Sequence, residues 1–120
     1  MTTQISFTKE EHKVIPNFRQ KLNLAESTED VKKFFFYTAK ELLESILGEE
    51  ADLVYEDVSL FLESPPYFVI GKRLSASGGF QDVWKDSDLS RVMQRLAETA
   101  VARYRRLEKN PEKSSSKIRM

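Results

Sequence analysis

The sequence contains no cysteine, which excludes disulfide scaffolds, thiolate metal sites and cysteine nucleophiles and makes a reducing compartment the expectation. It contains a single histidine, His12, set among Glu10, Glu11 and Lys13. A lone imidazole builds neither a metal site nor a proton relay without partners placed near it, so His12 reads as a solvated helix residue. No window approaches the roughly eighteen consecutive apolar residues of a membrane span. The start, Met1 to Phe7, has no cationic stretch followed by an apolar one. With a mean hydropathy of −0.49, these absences predict a soluble, cytoplasmic protein with no membrane partner. No segment repeats at a period of roughly twenty to fifty residues, which excludes solenoids and propellers.

Net charge is also missing, with 19 Lys and Arg against 19 Asp and Glu. The neutrality is a cancellation. Residues 1–48 carry seven basic and seven acidic side chains, residues 49–86 three and eight, and residues 87–120 nine and four. Attraction between the acidic middle and the basic end, within one fold or between copies, would respond to salt.

What is present is a chain of 120 residues, 40% hydrophobic and 11% aromatic, enough for one modest core and too apolar for disorder. One domain is expected over residues 1–110, followed by a disordered basic tail at 111–120 that has no periodicity. Thr8 and Glu11 have capping-box spacing, which starts a helix near Lys9 with Val14, Ile15, Phe18 and Leu22 inward. Pro16 predicts either a kink or a fresh helix start. A second helix is expected from about 28 to 47, capped by Ser27 or Thr28, with Glu29 and Asp30 in its first turn and Gly48 ending it. Val31, Phe35, Leu42 and Ile46 form its stripe; Phe34, Phe36, Leu43 and Leu47 widen the apolar arc to about 220°. That is twice what one packing layer needs, so this helix must touch two things. Tyr37 is the exception, falling among Lys33, Lys40, Glu41 and Glu44.

Residues 58–74 read as an antiparallel hairpin broken at Ser64-Pro65-Pro66. Phe61 opposes the face of Val58, Leu60 and Leu62, so neither face is cleanly polar. A two-stranded ribbon is marginal alone. Either a third strand joins, from Leu53-Val54-Tyr55 or Ile5-Ser6-Phe7, or a partner covers the second face. Ser75 to Gly79 reads as a flexible loop, and Asp86 or Ser87 as the cap of a long final helix with a stripe from Leu89 to Leu107.

The familiar chemical motifs are not met. Gly71-Lys72 lacks the first glycine of a phosphate loop, since position 66 is proline, and Arg73 stands where a hydroxyl is needed. Gly78-Gly79 does not open a dinucleotide fingerprint. Asp82, Asp86 and Asp88 lack calcium-loop spacing and read as helix-end charge. No serine sits in a nucleophile elbow. No cofactor, metal or catalytic residue is therefore assigned. Trp84 lies near Phe80 and Val83 and reads as a core or interface anchor. On the last helix Arg91, Arg95 and Arg106 share an outer face with Arg105 nearby, a candidate anion-binding set.

The first 47 residues loosely resemble a ribbon-helix-helix DNA-binding unit, with Ile5 and Phe7 inward, Gln4, Ser6 and Thr8 outward, and Leu24-Ala25-Glu26-Ser27 as the interhelical turn. The resemblance implies a dimer whose paired strands read bases.

The expected fold is α+β: two N-terminal helices and a long C-terminal helix packed on a small antiparallel sheet at about 58–74. The surplus apolar surface points to a non-enzymatic protein–protein interaction module able to self-associate, with Phe36, Tyr37, Leu43, Leu47, Phe61 and Trp84 as candidate interface residues. The alternatives are nucleic-acid binding, by the N-terminal ribbon or the arginine helix, and small-ligand binding in a pocket beneath the Ser75 to Phe80 loop.

Overall fold

The widest apolar surface belongs to α2, Thr28–Leu47, and the rest of the chain is arranged around it. Its start follows the sequence closely: the Ser27 hydroxyl accepts the Asp30 N–H, and the chain leaves the helix at Gly48 with φ of 100°, a left-handed region that glycine enters without a Cβ penalty. The structure, a computed structural model, describes residues 6–48 and 53–109. Over these residues it has five helices and a two-stranded antiparallel sheet, the α+β fold expected, with helices packing on the hairpin. The tail expected at 111–120 lies outside them.

The helix α1, Thr8–Leu24, runs through Pro16 without a break. Pro16 and His12 are both on the exposed face, so the carbonyl left without a helical donor is on the side that water can serve. The capping box does not form. No side chain caps this helix; Glu11, itself buried, is drawn into a pairing with the half-exposed Arg95, and the Phe7 N–H is instead accepted by Asp88 at 2.8 Å, from the far end of the chain. Ser6 also donates to Asp88, at 3.1 Å. Ser6 and Phe7 form no strand, so the described part of the ribbon-helix-helix resemblance lacks its ribbon; Gln4 and Ile5 lie outside the described residues.

After α2 the chain makes a 3-10 turn at Tyr55–Asp57 and the strands β1, Val58–Leu60, and β2, Phe68–Ile70, with Val58 opposite Ile70 and Leu60 opposite Phe68. The hairpin is shorter than the 58–74 expected. Leu53-Val54-Tyr55 supplies no third strand, because Tyr55 already belongs to the 3-10 turn. Residues 72–75 are not strand but a single helical turn, α3 (Lys72–Ser75), which buries Leu74 and turns Arg73 onto Asp57. The expected flexible loop is reduced to Ala76 and Ser77, since Ser75 ends α3 and Gly78 and Gly79 open a helix, α4 (Gly78–Lys85), whose cap is Ser77 accepting the Phe80 N–H.

The last helix, α5 (Leu89–Lys109), begins one residue later than a cap at Asp86 or Ser87 implies: the Asp88 carbonyl accepts its first hydrogen bonds, while the Ser87 hydroxyl accepts the Leu89 N–H from just outside. Its stripe from Leu89 through Met93, Leu96 and Ala100 is fully buried against Phe35, Ala39, Leu42 and Leu43 of α2 and the residues around them. Thus α2 packs on α1 and α5 and also on β1. The two-sided covering that its arc demands is met within one chain.

Gly71 marks a tight backbone approach. Its N–H donates to the Asp57 carbonyl at 2.8 Å, and a Cβ there would lie 2.5 Å from the Glu56 carbonyl oxygen. Gly79, in the first turn of α4, has open space around it. Gly71→Ala should therefore lower the unfolding free energy by about 2 kcal/mol or more, while Gly79→Ala should raise it by about 0.5–1 kcal/mol. Paired urea denaturation curves measure both; equal effects of the same sign would contradict this account.

Candidate functional site

Of the residues expected at an interface, the fold separates core from surface. Leu43 is fully buried in the core and Phe36 is buried between Tyr37 and Tyr55, so neither presents an exposed side chain to a partner. Leu47 is half-buried against the core. Trp84 is half-buried too, stacked on Phe80 at 5.0 Å and edge-on to Phe68 at 5.9 Å. Tyr37 and Phe61 remain outside, at 50% and 40% exposure.

Tyr37 has a neighbour that the sequence pattern did not pair with it. Phe36 lies between two rings, Tyr37 at 5.9 Å and Tyr55 at 5.4 Å, both edge-on. Val54 is exposed beside Tyr55. The segment is fastened to α2 by a clamp: the Lys40 ammonium donates to Glu44 at 2.6 Å and to the Leu53 carbonyl at 3.1 Å, while Glu44 accepts the Leu53 N–H at 3.3 Å. Hydrogen bonding from Lys40, together with that from Leu53, holds the Glu44 carboxyl below its ordinary value against the opposing effect of burial.

Asp57 fixes the other end of the segment. It accepts the Val54 N–H at 2.8 Å and, through both oxygens, the Arg73 guanidinium at 3.3 and 2.6 Å, with only 3% of its side chain exposed. Burial pushes its carboxyl up, but Arg73 and the Val54 N–H together outweigh burial and leave it below the usual value. Beyond it, the outer face of the hairpin carries Ser59, Phe61 and Val69, all exposed. Tyr67 follows in the left-handed region at φ 71°, held by hydrogen bonds to Ser64 and Phe61 and covered by Arg105 at 5.6 Å from its ring.

The expected anion-binding arginines do not form one free face. Arg95 makes a two-pronged pair with Glu11, both bonds at 2.8 Å, and this hydrogen bonding raises its own pKa. Arg105 donates to the Leu62 carbonyl at 2.8 Å besides covering Tyr67. Arg91 and Arg106 are exposed and have no ion-pair partner among the described residues. Arg103, not among those expected, caps α1 by donating to the carbonyls of Leu22 at 2.8 Å and Ala25 at 3.1 Å.

Beneath the 75–80 segment lies a cavity of about 480 Å³, walled by Ile70, Phe80 and Trp84 and bordered by Gln81, Asp82 and Lys85. Among the described residues no cluster of His, Asp and Glu could hold a metal, and no helix is long and apolar enough to cross a membrane. Comparison with protein-family models, curated proteins and solved structures finds no match.

Removing the Arg95 charge leaves a buried Glu11 carboxylate unpaired. Arg95→Met should cost about 1 kcal/mol, because half of the arginine side chain faces water that screens the pair, and the double variant Glu11→Leu/Arg95→Met should recover most of it; denaturant midpoints of the three proteins decide. Asp57 and Glu44 bind protons less readily folded than unfolded. Their contribution to stability is therefore complete above the unfolded carboxyl values near pH 4 and is lost as pH falls through the lower folded ones. Asp57→Asn should lower stability by about 2 kcal/mol at neutral pH and flatten the acid limb of a melting-temperature profile. An acid limb as steep as that of the parent protein would remove Asp57 from this role.

Proposed function

We propose that this protein is a non-enzymatic interaction module that associates with a second copy of itself through Tyr37, Tyr55 and the outer face of the hairpin. The supporting observation is the distribution of exposed large apolar side chains. Apart from Leu24, those in the described residues are Tyr37, Val54, Tyr55, Phe61 and Val69, in the hairpin, the segment leading into it and the stretch of α2 beside that segment. Tyrosines supply large contact area at low entropic cost and are enriched at interface centres. A second copy is the fitting occupant for two reasons. The outer face of the two-stranded ribbon, with Ser59, Phe61 and Val69 exposed, is uncovered, and a twin related by a two-fold axis presents the same face to it. The chain's zero net charge leaves two copies free of overall repulsion.

The alternative of nucleic-acid binding along α5 is weakened by the spending of Arg95 and Arg105 on internal contacts. Small-ligand binding has a specific observation in its favour, the aromatic-walled cavity beside Trp84, whose volume lies within the range of ligand sites. Trp84 is the one tryptophan of the chain, so its fluorescence would report an apolar aromatic probe entering the cavity.

Molar mass by light scattering across micromolar concentrations tests the main reading. The parent chain should shift toward twice the monomer mass and keep that shift at high salt, and Tyr37→Ser/Phe61→Ser should remain monomeric while still folded by circular dichroism. A strict monomer at every concentration would overturn the proposal, and so would a dimer that salt dissolves, because its contact would be ionic.

A further inference from the structure

The spacing of arginines along α5 predicts an anion-binding face on that helix alone, whereas the structure gathers a set from two helices. A cleft of about 280 Å³ opens between the C-terminal half of α1 and α5, and Arg19, Arg103 and Arg106 all line it. No Asp or Glu contributes to its lining. We propose that this cleft binds a compact, multiply charged phosphate.

Three properties support the assignment. First, the cations are available: Arg19 and Arg106 are exposed and have no ion-pair partner among the described residues. Second, one of them is already positioned. Arg103 is held by the carbonyls of Leu22, Asn23 and Ala25 at 2.8, 3.4 and 3.1 Å, so little rotamer freedom remains to be lost when an anion arrives. The same bonds engage carbonyls at the end of α1, which would otherwise turn partial negative charge toward the ligand. Third, the neutral polar groups are limited in a defined way. The Thr99 hydroxyl spends its proton on the Arg95 carbonyl at 3.0 Å, leaving the Asn23 amide as the neutral side-chain donor of the lining. Guanidinium forks match phosphate oxygens in pairs, and the free forks of Arg19 and Arg106 beside the remaining Nη1 donors of Arg103 suit a ligand with several oxygens and more than one negative charge.

The concave shape favours a small phosphate over a duplex. A duplex would need a stripe of free cations along the helix, and Arg95 and Arg105 are tied to Glu11 and to the hairpin.

The experiment is a calorimetric titration of the full chain with inorganic pyrophosphate, with phenyl phosphate and with a short DNA duplex, at an ionic strength matched with sodium chloride. Saturable binding of pyrophosphate or phenyl phosphate is expected, the tighter of the two distinguishing a free inorganic anion from a phosphate carried on an organic group. Arg106→Gln should weaken it about tenfold, the loss of one charge-assisted contact, and Arg19→Gln/Arg106→Gln should abolish it. Arg91→Gln, which alters another exposed arginine of the same helix outside the cleft, should leave binding unchanged. All three variants are changed at exposed side chains, and circular dichroism confirms that they fold. No saturable binding of either phosphate would overturn the proposal; equal weakening by Arg91→Gln, or a duplex binding more tightly than both phosphates, would do the same.

Discussion

The breadth of the apolar arc on α2 is the constraint to which the other elements answer. A helix that is apolar over about 220° cannot be satisfied by one neighbour. Here α1 and α5 pack along it and β1 covers a further part, so Phe35, Leu42 and Leu43 reach full burial. Each such side chain contributes about 1.5–3 kcal/mol relative to an exposed one, and together they offset much of the entropy of ordering the short hairpin, which two strands of three residues could not do alone. The hairpin is in this sense a lid on α2 rather than the centre of a sheet.

Much of this was legible because it depends on residues close together in the chain. Ser27, the acidic first turn and Gly48 set the limits of α2, and the stripe of α5 follows from its spacing alone. The prolines at 65 and 66 correctly separate two antiparallel strands. Where local cues compete, the reading fails: Gly78 and Gly79 suggest a loop, yet Ser77 as cap and the spacing of Phe80, Val83 and Trp84 carry a helix through them. Lys72 to Leu74 continues an apolar strand pattern, but the buried carboxylate of Asp57 draws Arg73 onto a helical turn.

The surface groups were less legible, since their fate is decided by partners outside their own element, as far as 84 positions away. Glu11 has the spacing of a capping residue and serves instead as counter-ion to Arg95. Arg105 looks like one more solvated cation and in fact holds the hairpin loop. Tyr37 could be found as an aromatic in a charged arc. Tyr55 could not, because the alternation around it suggests a strand, and only the clamp of Lys40 and Glu44 on Leu53 brings it beside Phe36.

The fastening of α1 at both ends by α5 and its cap has a consequence for how the molecule opens. Asp88 holds the Phe7 N–H, Arg95 holds Glu11 and Arg103 holds Leu22, at sequence separations of 81, 84 and 81 residues. A helix attached only through its neighbour in sequence can fray independently, with local opening much cheaper than global unfolding. Here neither terminal helix can peel away without breaking the other's contacts and uncovering α2 between them. The first and last helices therefore form one cooperative unit, and their amides should exchange with solvent at similar free energies of opening despite lying at opposite ends of the described chain.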